Sequence, residues 1–100
     1  MNEIKRFLPI GTVVLLKSGT KELMINSYCI FNVKEKEKKI YEYGACLYPE
    51  GVMNANNSYA FDHEDIAKIL YVGYISEQQR AYVKKIDENY DEFKNKLGAI

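Results

Sequence analysis

Histidine occurs once in this 100-residue chain, cysteine and proline twice each, and tryptophan not at all. A single histidine excludes the zinc-protease pattern His-Glu-x-x-His, because His63-Glu64 is followed by Ala67 where the second ligand must stand. Cys29 and Cys46 lack the close spacing of a zinc site and are read as two lone thiols in a reducing compartment. Both fall in predicted strands, away from the helix starts that activate thiols, so they are expected to be small apolar core residues. Net charge is also missing: 14 basic residues balance 14 acidic ones, which argues against a protein held to nucleic acid by phosphate contacts. No apolar run approaches the roughly 18 residues needed to cross a bilayer. The start, MNEIKRFLPIGTVVLL, is interrupted by Pro9, Gly11 and Lys17 and lacks a small-x-small cleavage site, so it departs from a secretory signal. The expectation is a cytoplasmic protein without membrane insertion. The six glycines never assemble a phosphate loop or a dinucleotide fingerprint.

What the chain does have is aromatic mass, with nine tyrosines and four phenylalanines, and a sequence punctuated for strands. After a polar lead-in over residues 1–7, Thr12 to Leu16 is β-branched and strand-like, and Ser18-Gly19-Thr20 is a turn in which Gly19 can take positive φ. Glu22 to Val33 reads as a second strand bent near Asn26-Ser27. The charged run Lys34 to Lys39 reads as a solvated hairpin tip. Ile40 to Tyr48 is a third strand, with Tyr41, Tyr43, Ala45 and Leu47 on one face and Ile40, Glu42, Gly44, Cys46 and Tyr48 on the other. Its interior Gly44 is the kind of residue that marks a bend or bulge. Tyr48-Pro49-Glu50-Gly51 has the residues of a type I turn, and Val52 to Ser58 is a polar loop. Tyr59 to Phe61 is a short strand, and Ala67 to Tyr74 a closing one.

The clearest helix starts at Ser76, whose spacing to Gln79 suits a capping box. Tyr82, Ile86, Tyr90, Phe93 and Leu97 then make one apolar stripe, broadened by Val83. Glu92 and Lys96 are a favourable pair four residues apart, and Gly98 is placed to end the helix. The expected fold is one α+β domain spanning residues 1–100: a small curled antiparallel sheet or SH3-like barrel over residues 8–75, with a C-terminal amphipathic helix over 76–97.

The stretch Phe61-Asp62-His63-Glu64-Asp65-Ile66 concentrates the ionisable groups. Its acids lack the spacing of a calcium loop, and the sequence suits a helix cap better. Asp62 is the N-cap, Asp65 the capping-box partner, Glu64 a first-turn acid, and Phe61 with Ile66 a hydrophobic staple. That reading leaves His63 facing solvent. No catalytic, cofactor-binding or metal-ligating set is expected. The alternative is a small hydrolase or metal-dependent enzyme using Asp62, His63, Glu64 and Asp65. A recognition surface is expected instead from Tyr41, Tyr43, Tyr48, Tyr59, Tyr74, Tyr82 and Tyr90, although such rings can equally form the outer part of a small core.

Four stretches in order, LPIGTVVLLKSG (Leu8 to Gly19), KELMI (Lys21 to Ile25), YEYGACLYPEGV (Tyr41 to Val52) and FDHEDIAKILYVGY (Phe61 to Tyr74), resemble the domain-of-unknown-function family 4176. The resemblance implies a small accessory or partner protein of Gram-positive bacteria, from a family often encoded near type VII secretion components and LXG-type toxins, with no known catalytic set. The functional expectation is a non-enzymatic module that binds another protein, such as a secretion substrate or apparatus component, or a second copy through the C-terminal helix. A toxin-neutralising protein and a single-stranded nucleic-acid-binding module are the alternatives.

Overall fold

In the computed structural model, which describes residues 6–32, 39–54 and 58–98, the β-branched and aromatic stretches form five strands. These are β1 (Val13–Leu16), β2 (Leu23–Asn32), β3 (Lys39–Leu47), β4 (Tyr59–Phe61) and β5 (Ile66–Tyr71), followed by one helix, α1 (Glu77–Gly98). The strands build one antiparallel sheet in the order β4-β3-β2-β1-β5. Its register is marked by Tyr28 opposite Tyr43, Val13 opposite Met24, Val14 opposite Ile69 and Ala45 opposite Tyr59. Among the described residues no helix is long and apolar enough to cross a membrane. The charged run expected as a hairpin tip lies, but for Lys39, outside the described residues.

The sheet is open, which corrects the expectation of a curled sheet or SH3-like barrel. Closure requires backbone hydrogen bonds between the first and last strands, and β4 and β5 instead stand at opposite ends of the strand order with no ladder between them. Asp62 and a single 3-10 turn, His63–Asp65, carry the chain from one edge to the other. Gly44 does stand at a bulge: it pairs with Ser27 where the β2 register shifts. A Cβ there would lie 2.2 Å from Ser27 Oγ and 2.6 Å from Ile30 Cγ1, so the glycine lets β2 side chains lie across β3. The irregularity belongs to β2, where the register shifts between Ile25 and Ser27, as the expected bend near Asn26-Ser27 required. Cys29, in the same strand, has a left-handed backbone at φ 56°.

Two turns also differ from expectation. Gly51 N–H bonds to the Leu47 carbonyl (2.7 Å), one residue beyond a type I turn, and the Tyr48–Pro49 peptide is cis. Positive φ among the described glycines is found at Gly11 and Gly51, not at Gly19.

Leu8, Val14, Leu23, Ile25, Tyr43, Ala45 and Phe61 form the main core. Each leucine, valine or isoleucine so buried contributes about 1.5–3 kcal/mol. A second cluster joins Phe7, Ile40 and Tyr90, with Val83 and Ile86 against it, and so fixes α1 on its own sheet. The lead-in is therefore not merely polar: Phe7 is 2% exposed, wedged edge-on against the rings of Tyr28 and Tyr90. The buried stripe of α1 is Val83, Ile86 and Tyr90, whereas Tyr82 and Phe93 are 60% and 47% exposed. The stripe turned inward is thus shifted by one residue at its start. Ser76 Oγ accepts from Gln79 N–H (3.0 Å), but the Gln79 side chain donates to the Tyr28 hydroxyl (3.5 Å). Lys96 and Glu92 pair at 3.5 Å on the wet face.

Candidate functional site

The acidic stretch does form a cap. Asp62 has extended backbone at the start of the 3-10 turn, and its N–H donates to Asp65 Oδ2 (2.9 Å), the return half of a capping box. Phe61 and Ile66 both pack on the main core. The Asp62 carboxylate also reaches across the sheet: its Oδ1 accepts from the N–H of Glu42 (3.0 Å).

His63 corrects the sequence reading, because it is half-buried in a network and does not face solvent. Its N–H donates to Glu42 Oε1 (2.7 Å), while Glu42 Oε2 accepts from Arg6 Nη1 (3.1 Å). Its Nδ1 lies 2.8 Å from the hydroxyl of Tyr43, which accepts from Leu8 N–H (3.0 Å). A phenol has one proton to give. The arrangement that uses every group has Tyr43 donating to Nδ1, with the imidazole proton on Nε2. Arg6 completes the network. It pairs with Asp87 and reaches Asp91 (3.5 Å) on α1, and its guanidinium lies 5.2 Å from the centroid of the Tyr90 ring.

Burial is the first influence on each shifted group around the site. Burial pushes the Tyr43 hydroxyl well above the ordinary tyrosine value, so its proton is held. Burial draws the Arg6 pKa down, but Asp87 and Glu42 outweigh it and the guanidinium holds its proton more tightly than usual. The Cys29 thiol is pushed up by burial and then by Glu42, against the smaller opposing pull of Arg6, which is the reverse of an activated nucleophile. Neither Cys29 nor Cys46 is in a disulfide. Among the described residues no group of three or more His, Cys, Asp or Glu could hold a metal ion, and no buried side-chain nitrogen or oxygen lacks a partner. Arg6 and Glu42 escaped the sequence reading because their significance comes from residues 20 to 85 positions away.

The seven tyrosines expected at a recognition surface divide. Tyr43 and Tyr90 are buried, and Tyr41 is half-buried with Lys39 Nζ 4.8 Å from its ring centroid. Tyr48, Tyr59, Tyr74 and Tyr82 are exposed, but they lie on separate elements. A run of exposed apolar side chains spans the end of edge strand β5 and the connector to α1. Leu70, Tyr71, Val72, Tyr74 and Ile75 are all exposed, with Tyr74 at 83%. Val72 and Ile75 line a cleft of about 620 Å³ whose other walls are residues 6–9 and the Gln79 to Asp87 stretch of α1.

No curated protein and no solved structure matches the chain. Residues 7–82 match one family model, a span that holds Glu42, Tyr43, Asp62, His63 and the apolar run, and stops short of Tyr90. With that match over most of its length, the chain belongs to the family described as Domain of unknown function (DUF4176).

Proposed function

We propose that this chain is a non-enzymatic protein-interaction module that receives its partner in the cleft beside the β5–α1 connector. One observation carries the reading: five apolar side chains are exposed within six consecutive residues, Leu70 to Ile75, and lead into that cleft. Exposed apolar side chains concentrated beside a cleft are stabilised when a partner covers them. The non-enzymatic part is supported by the acidic stretch, where Asp62, His63 and Asp65 are already engaged in hydrogen bonds that hold the fold. The resemblance to a family encoded near type VII secretion genes makes a secretion substrate or apparatus component the first partner to test.

Ile75→Asp puts a charge into this surface at a position 43% exposed, and should leave the melting temperature unchanged. Co-purification of the full chain with the proteins encoded beside its gene should recover one of them, and Ile75→Asp should release it. Failure to retain any of those proteins, or equal retention by Ile75→Asp, would sink the proposal.

A further inference from the structure

We infer that the segment docking in this cleft is acidic, with apolar side chains between its carboxylates; this rests on the interaction reading above. The floor and walls of the cleft supply apolar contact from Val72, Ile75 and Val83. Its rim is cationic. Arg80 and Lys84 are four residues apart on α1 and line the same cleft, so they project from one face of the helix. Neither has an ion-pair partner among the described residues. Asp87, the one acid of the lining, is already held by Arg6.

The cleft therefore has an unbalanced positive charge in a chain whose total charge is zero. Complementary charge across an interface sets which partner is accepted and speeds encounter. A carboxylate approaching Arg80 also gains charge-assisted hydrogen bonds, which are stronger beside apolar walls than in open water. A basic segment would meet repulsion at the same rim, and an uncharged one would leave both cations unpaired.

The test uses the full chain and two fluorescent synthetic peptides with the same leucine pattern, one with glutamate and one with lysine at the intervening positions. Anisotropy should show the glutamate peptide binding about tenfold or more tightly than the lysine peptide, roughly 1.4 kcal/mol, with affinity falling as salt rises. The double variant Arg80→Glu/Lys84→Glu, exposed on the helix surface, should keep its melting temperature and reverse the preference. Equal binding of the two peptides, absence of binding to either, or a preference indifferent to charge reversal overturns the inference. Binding to phosphatidylglycerol vesicles in place of the glutamate peptide overturns it too, in favour of a membrane surface. A native partner lost with Ile75→Asp but kept by the double variant leaves the interaction reading standing and removes the acidic one.

Discussion

A methyl group added at Gly44 would meet Ser27 Oγ at 2.2 Å, whereas one added at Gly19 would meet nothing within 4 Å. Gly44→Ala should therefore cost about 1–3 kcal/mol through overpacking. Gly51→Ala has room but is held at φ +78°, and should cost about 1–2 kcal/mol from the left-handed backbone alone. Gly19→Ala should cost nothing. Urea unfolding of the three variants tests the ranking, and equal losses would refute it. Tyr43→Phe probes the polar network. It leaves the buried N–H of Leu8 without its acceptor and His63 without its partner, and should cost about 1–3 kcal/mol. The same change at Tyr74, 83% exposed, should leave the melting temperature unchanged. At this scale, legibility followed sequence distance. The bond from Asp62 N–H to Asp65 spans three positions and could be read from the letters, but the bond from His63 N–H to Glu42 spans 21.

Among the elements, α1 shows how a correct period leaves a face undecided. Tyr82 and Val83 are neighbours, and both fit a stripe continuing through Ile86 and Tyr90. Packing on Phe7 and Ile40 selects Val83 and leaves Tyr82 and Phe93 largely outside. Tyr90→Ala should therefore cost about 3–5 kcal/mol, while Phe93→Ala should cost less than about 1 kcal/mol. Chemical denaturation followed by circular dichroism separates the two, and similar costs would mean that α1 docks on a different face. The third strand presents a related ambiguity. Its alternation is visible in the sequence, but Ile40 and Tyr43 are buried in different clusters because α1 and the main core each cover part of β3.

The whole molecule should be sensitive to alkali. Burial is the main cause that raises the hydroxyls of Tyr28, Tyr43 and Tyr90 above their ordinary value of 10.0. The folded state thus keeps protons that the unfolded chain releases. The corresponding stability is fully present below about pH 10 and is lost as pH rises above it. The Cys29 thiol, raised from 9.0, acts in the same direction from a slightly lower pH. Tyrosinate absorbance should rise in two stages, with the later one coinciding with loss of the circular dichroism signal. Ionisation of all nine tyrosines in one step near pH 10, with the fold intact, would contradict this. By itself the sequence determined the features made by near neighbours: the strand segments, the helix and its period, the Asp62 cap and the β2 irregularity. Only the tertiary structure decided that the sheet stays open, that Arg6 and Glu42 join His63, and which stripe of α1 is buried. Each of those outcomes depends on which distant surfaces meet, and hydrophobic burial rewards any contact of suitable size without specifying its partner in the local pattern of residues.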